Sequence, residues 1–261
     1  MNILDKIVEH KKKEVERSKK QTLLSDLGSN PLFCRKTISM REAIQKNGAG
    51  VIAEIKRKSP SKGVFKEIIS AGKLAEEYAA AGAAALSILT DFEFFGGSPD
   101  DLKAARFLPC PILRKDFIID LFQIEEARSM GADAILLIAA ILDEYQIRDL
   151  TQAAHALDLE VLLEIHSPQE LKKCEYNPDL VGVNNRDLKT FKVNIDISKN
   201  LFSELPPDAV KVSESGILSA QTAIDLYRLG YQGFLVGQNF MSHPDPAEAA
   251  FDFIHEFNEK R

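Results

Sequence analysis

The sequence predicts an α/β protein in which eight parallel strands close into a (β/α)8 barrel, with a helical extension ahead of the first strand. Three observations predict it. From Val51 onward a short apolar run, a loop and an amphipathic stretch of helical spacing recur, and eight apolar runs are found. Several helical stretches end on a glycine just before the next run, at Ala81-Gly82-Ala83, Met130-Gly131-Ala132 and Leu229-Gly230-Tyr231, as expected for a left-handed cap feeding a short connection. The length, 261 residues, matches one barrel of about 250 residues. A doubly wound open sheet uses the same alternation, but no Gly-x-Gly-x-x-Gly follows the first run, and the barrel is preferred.

Residues 3 to about 20 carry Ile3, Leu4, Ile7, Val8 and Val15 among many charges, the spacing of an amphipathic helix; the run Lys11-Lys12-Lys13 reads as its solvated face. Ser39 is placed to cap a short helix through Met40 and Ile44, with Glu42 at the reciprocal position of a capping box. The expected strands are Val51–Lys56, Ala84–Thr90, Ile112–Lys115, Ala134–Ala139, Glu160–Glu164, Leu180–Asn184, Val210–Glu214 and Gly233–Gly237. Helices are expected over Ala71–Ala81, Leu121–Met130, Asp143–Leu157, Pro168–Cys174, Ala220–Leu229 and Pro246–Phe257. No low-complexity linker interrupts the pattern, so the expectation is a single domain over 1–261, with 1–50 as an extension too small for its own core.

Composition narrows the function classes. A formal net charge of −6 and pI near 5.5 argue against nucleic acid as a partner. No segment holds the roughly 20 apolar residues that cross a bilayer. The start lacks a signal-peptide-like apolar core, so a cytoplasmic location is expected. Cys34, Cys110 and Cys174 are odd in number and widely spaced, without a CxxC or a His cluster, which favours structural thiols over disulfides or a metal site. The helix faces show no unusual apolar stripe, pointing to a monomer or weak homo-oligomer.

In a barrel, chemistry gathers where strands end. The first strand places Ile52, Glu54 and Lys56 on one face and Val51, Ala53 and Ile55 on the other, so a carboxylate and an ammonium enter an apolar setting. The turn-rich Ser59-Pro60-Ser61-Lys62-Gly63 follows directly. Lys115 ends the third strand, Glu164 the fifth, Asn184 the sixth and Glu214 the seventh. Glu54 and Asp116 are the expected ion-pair mates of Lys56 and Lys115. Glu164 points inward with Leu162 and is the natural general base, ahead of His166, which sits before the next helix. His155 is expected at the surface. Asn184 suits orienting a hydroxyl, while Asn185 faces away by parity. Arg186 with Asp187 reads either as a rim ion pair or as part of the site wall. Ser215-Gly216 after the seventh strand and Gly237-Gln238 after the eighth offer backbone amides at the habitual phosphate position of this fold.

These residues stand in longer motifs: VIAEIKRKSPSKG at 51–63, LSILTDFEFFGGS at 86–98, LRKDF at 113–117, LLEIH at 162–166, GVNNRDL at 182–188, VSESGI at 212–217 and FLVGQNFM at 234–241. Together they resemble the indole-3-glycerol phosphate synthase family of tryptophan biosynthesis, from ILDKIVEHKKKEV to the end of the chain. The resemblance implies a TIM barrel with the N-terminal helical segment over its mouth. It also implies a monofunctional lyase that closes the ring of 1-(2-carboxyphenylamino)-1-deoxyribulose 5-phosphate, a phosphosugar, with loss of carbon dioxide and water and without cofactor or metal. By motif, Lys115 would be the general acid and Glu164 the base or proton shuttle. Glu54 and Lys56 would hold the substrate carboxylate and hydroxyls, and Asn184 the ribulose hydroxyls. Ser59, Arg186 and Glu214 would line the site, Phe95 and Phe117 would wall the anthranilate ring, and Ser215, Gly216, Gly237 and Gln238 would bind phosphate. One departure is visible: the family usually has small or acidic residues after the eighth-strand glycine, where this chain has Gln238-Asn239, so a hydroxyl contact to phosphate is not expected there. The nearest rivals are another phosphosugar barrel such as phosphoribosylanthranilate isomerase, or a barrel that binds a phosphosugar without turning it over.

Overall fold

The computed structural model describes residues 3–65, 70–188 and 190–261; Met1 and Asn2 of the expected extension lie outside them. Eight strands form one closed, all-parallel barrel in chain order. They are β1 (Gly50–Ile55), β2 (Ala85–Leu89), β3 (Ile112–Lys115), β4 (Ala134–Ile138), β5 (Glu160–Ile165), β6 (Leu180–Asn184), β7 (Val210–Glu214) and β8 (Gly233–Val236). Each expected strand is present to within one residue at either end. The pairing register fixes the barrel's tilt. Ile138 pairs Glu164, then Gly182, Val212, Gly233 and Gly50 in turn; Glu54 pairs Ser87, then Leu113 and Ala134. Closing that circuit requires climbing four residues along β1 and four along β4, a total stagger of eight, the value for this fold.

That stagger sorts the inward side chains into layers drawn from alternate strands. Ile52, Leu113, Leu162 and Val212 make an apolar layer from the odd-numbered strands. Two residues further along the same strands stand Glu54, Lys115, Glu164 and Glu214. The outward set, including Val51, Ala53, Ile55, Ile135, Leu137, Leu163 and Val183, packs with the surrounding helices in a second core. Period-2 alternation thus gives each strand an inner and an outer packed face, and on the odd-numbered strands the last inward residue is charged.

The helices form where expected, with capping that explains their bounds. Asp143 accepts from the Gln146 amide and Gln146 reciprocates, Ser219 accepts from Thr222, and Asp245 from Ala247 and Glu248. Gly131 and Gly230 are the left-handed C-caps of their helices. The segment after β5 is a 3-10 helix over Pro168–Tyr176 rather than an α-helix. Ser39 caps Met40–Gln45 through the Glu42 amide, but its own hydroxyl turns to Glu160, 2.5 Å away. Helices Leu24–Gly28, Pro99–Ala105, Asp196–Leu201 and Gln238–Met241, and a hairpin pairing Lys58–Ser59 with Gly63–Val64, were not anticipated.

The extension reaches both ends of the barrel. Its helix α1 (Ile3–Gln21) lies over the mouth, with Ile7 buried against the inner core and Ile3 and Leu4 beside it. Residues 35–41 instead close the opposite end: Arg35 pairs with Asp133, and Glu160 accepts from the amides of Met40 and Arg41 at 2.8 and 2.9 Å. Among the described residues no helix is long and apolar enough to cross a membrane.

Candidate active site

Every residue singled out from the sequence for the site lines one cavity of about 230 Å³ at the carboxyl ends of the strands: Glu54, Lys56, Ser59, Phe95, Lys115, Phe117, Glu164, Asn184, Arg186, Glu214, Ser215, Gly216, Gly237 and Gln238. The roof is Ile3, Leu4 and Ile7 of α1. The floor is the charged layer of the odd strands. Lys115 Nζ lies 2.6 Å from Glu214 Oε2 and 3.5 Å from Glu164 Oε2. Lys56 Nζ lies 2.6 Å from Glu54 Oε1.

This corrects one expected pairing. Lys115 and Asp116 are sequence neighbours on a strand end, so they leave on opposite faces, and Lys115 meets carboxylates across the barrel instead. Asp116 turns instead to Arg114 (3.1 Å) and accepts from Thr90 Oγ1 at 2.6 Å. The other partner of Asp116 is a second correction: Lys11, read from sequence as solvated, is fully buried and lies 2.9 Å from Asp116 and 3.2 Å from Asp91. Burial alone would lower its proton affinity, but Asp116, Asp91 and Glu14 outweigh that and raise it, so it stays charged. Both aspartates hold the cavity wall. Asp91 accepts from the amides of Phe94 and Phe95, and Asp116 from that of Phe117. The Phe95 and Phe117 rings lie 5.9 Å apart. The missed signal was positional: Ile7, Lys11 and Val15 fall at i, i+4 and i+8, one continuous stripe of α1.

Electrostatics divide the acidic groups. Burial alone would favour neutral Glu164, but Lys115, then His166 and a hydrogen bond with Asn184, hold it below the usual carboxylate range. Glu54 is also lowered, against its burial, by Lys56 and then Lys115. Glu214 goes the other way. Burial, opposed by Lys115 but reinforced by the Glu164 charge, pushes it up to about 7. Lys115 is held protonated: desolvation works against its charge, and Glu214, Glu164 and Glu54 overcome it. Space for these carboxylates comes from glycines. A Cβ at Gly182 would sit 2.1 Å from Glu214 Oε1, and one at Gly237 2.5 Å from Glu54 Oε1.

Asn184 Oδ1 accepts from the Arg186 amide at 3.0 Å, while Asn185 faces away, donating to Ser213 Oγ and two carbonyls. Arg186 reaches over the cavity to the Phe191 carbonyl and Gln238 Oε1. Ser215 and Gly216 are consecutive left-handed residues (φ 65° and 77°), an arrangement that turns successive amides toward one concavity. Gly237 precedes the short helix Gln238–Met241 on the same side. His155 is at the surface, 2.9 Å from Asp179. No cluster of His, Cys, Asp and Glu suited to a metal ion occurs among the described residues.

A profile of indole-3-glycerol phosphate synthase matches residues 4–253. The chain belongs to the indole-3-glycerol phosphate synthase family. Among its relatives, the indole-3-glycerol phosphate synthase of Bacteroides thetaiotaomicron is 44% identical over 254 residues, covering 97% of this chain and 98% of that one. That of Albidiferax ferrireducens is 44% identical over 254 residues, covering 95% and 96%. Solved structures repeat the fold at low identity. The 3-hexulose-6-phosphate synthase of Salmonella typhimurium superposes with a TM-score of 0.66 at 16% identity, covering 81% of this chain and 100% of that one. The tryptophan synthase α subunit of Legionella pneumophila gives 0.61 at 11%, covering 84% and 97%. In this chain the charged layer and the Ser215-Gly216 and Gly237-Gln238 segments line the same cavity.

Proposed function

We propose that the odd-strand charged layer carries out the indole-3-glycerol phosphate synthase reaction with Lys115 as acid and Glu164 as base. As an enzyme of this family the protein is a decarboxylating carbon–carbon lyase acting on a phosphosugar. The observation that carries the assignment is the meeting of Lys115 from β3 with Glu164 from β5 and Glu214 from β7 in a single cavity.

The chemistry asks for these groups in order. The anthranilate ring carbon bearing the carboxylate attacks the ribulose carbonyl, and Lys115 Nζ gives that oxygen a proton. Carbon dioxide then leaves and its electron pair restores the aromatic ring. Finally the hydroxyl takes up a second proton and departs as water, and Glu164 takes a proton from the carbon beside nitrogen. Glu54 and Lys56 hold the substrate carboxylate and hydroxyls, with Ser59 beside them on the loop after β1, Asn184 orients the ribulose hydroxyls, and Phe95 and Phe117 flank the aromatic ring. Ser215, Gly216, Gly237 and Gln238 meet the phosphate through backbone amides, and Arg186 adds a cation at that end. The Gln238 side chain is engaged with Arg186, so its backbone is the donor. The deciding experiment mixes purified protein with the carboxyphenylamino deoxyribulose phosphate and follows indole absorbance and released carbon dioxide; absence of both sinks the assignment.

A further inference from the structure

Atom balance leaves this site one proton short. Two protons are spent per turnover, one on the carbonyl oxygen at ring closure and one on the hydroxyl that leaves as water. One is recovered, from the carbon beside nitrogen. The substrate's carboxylate departs as neutral carbon dioxide, so the missing proton comes from solvent. It is needed after Lys115 has spent its own, while the cavity is still filled by the ring-closed intermediate beneath α1.

We propose that His166 delivers this proton to Glu164 from behind the cavity, along Glu170–His166–Glu164, and that it thereby drives the dehydration half of the reaction. The imidazole follows β5 and is absent from the cavity lining. Its Nε2 lies 3.4 Å from Glu164 Oε1 and its Nδ1 3.7 Å from Glu170 Oε2. Both ring nitrogens are buried with no full hydrogen bond, which leaves either free to close on its carboxylate. Glu170, on the 3-10 helix that follows, accepts from the His166 backbone amide at 2.7 Å and is partly open to solvent. From Glu164 the proton passes to the neutral Lys115 amine at 3.5 Å, with Glu214 2.6 Å from the same nitrogen, and Lys115 gives it to the departing hydroxyl. Glu164, a carboxylate again, then takes the proton from the carbon beside nitrogen and returns it to Lys115, while His166 reloads from solvent through Glu170. The charged groups facing His166 are Glu164 near the end of β5, Glu170 on the following 3-10 helix and Glu214 on β7. Burial lowers its proton affinity, but these three outweigh it and raise it.

The inference rests on the Lys115 and Glu164 assignment, and the test separates the two. With His166→Gln and enzyme in excess, carbon dioxide release in the first turnover is expected within about two-fold of the parent, while indole formation slows by roughly ten-fold or more. The gap is expected to be wider at pH 8 than at pH 6, because Glu214, pushed up to about 7, holds a spare proton only on the acid side. Glu170→Gln, at the outer end, should show the same split more weakly and serves if the first variant does not fold. Carbon dioxide and indole slowing together, or neither slowing, overturns the relay. Parental carbon dioxide release in Lys115→Met would instead overturn the acid assignment beneath it.

Discussion

Replacing Lys11 with methionine tests how the N-terminal helix is coupled to the cavity. Methionine keeps the length of the stem and removes the ammonium, leaving Asp91 and Asp116 facing each other's side of a closed interior. Asp116 retains Arg114 at 3.1 Å, whereas Asp91 loses its ion pair with Lys11. Removing one partner of a buried pair costs about 3–5 kcal/mol, mostly the penalty of the charge left behind. For a chain of this size each kcal/mol moves the midpoint by roughly 2–4 °C, so thermal unfolding should shift down by on the order of 10 °C. The same change frees α1, which roofs the site, and loosens the two aspartates that hold the Phe95 and Phe117 amides. KM for the substrate should rise, and by more than kcat falls, because the role proposed for the groups affected is to hold substrate and not to move protons. Adding Asp91→Asn removes the orphaned charge and should recover part of the stability, giving a measurable coupling energy in the double-mutant cycle. A midpoint within about 2 °C of the parent together with an unchanged KM would refute the claim that this buried ammonium pins the roof.

The proposed catalytic layer makes its own predictions. Lys115→Met should lower kcat by about 10²–10⁴-fold with a modest change in substrate affinity, as for loss of a general acid; an unchanged turnover number counts against it. Glu164→Gln should allow ring closure and stall before indole appears, so rapid-quench analysis should find a ring-closed intermediate, and full product without one would exclude the role. Gly182→Ala should abolish most activity while the protein stays folded, since the new Cβ would fall 2.1 Å from Glu214 Oε1 and displace that carboxylate from Lys115; parental activity would show the contact is dispensable. Asp116 is held down to about 2, against its burial, by Arg114 and then Lys11. A depressed carboxyl stabilises the fold above its unfolded value and loses that contribution as pH falls through the folded one. Roughly 2 kcal/mol should therefore disappear between about pH 4 and pH 2 in the parent, and less in Lys11→Met; identical acid titrations would argue against the linkage.

Much of this architecture is legible in the chain because both periods are strong. The eight apolar runs locate the strands to within a residue, and parity alone puts Glu54, Lys115 and Glu164 on the inner face. Parity also forbids the Lys115–Asp116 pair, which nearest-neighbour reasoning had favoured. What sequence hides is the partner across the barrel. Lys115 meets Glu214 from a strand 99 positions later, a consequence of the stagger of eight and not of any local pattern. Lys11 was hidden differently, by two exposed lysines beside it that gave the whole run a solvated look. The short helices at Leu24–Gly28 and Gln238–Met241 hold too few residues to express a 3.6-residue period.

The layer proposed to carry the chemistry is continuous with the layer that carries the stability. Ile52, Leu113, Leu162 and Val212 are packed on the same four strands, two positions below Glu54, Lys115, Glu164 and Glu214, so the rise of a strand dipeptide separates a dry core from a charged ring. A charge at the lower level would have no water and no opposite partner within reach; an apolar residue at the upper level would leave the others uncompensated. The four upper side chains therefore stand or fall as a unit, with Lys115 the common mate of three carboxylates. Removing Lys115 should accordingly do more than delete an acid: it should raise the proton affinity of Glu164, Glu214 and Glu54 together, since each counts Lys115 among the charges holding it down. Proton uptake on folding or on substrate binding, measured in weakly buffered solution, should increase in Lys115→Met around neutral pH. If it does not, the three carboxylates are being held by something other than the ammonium they surround.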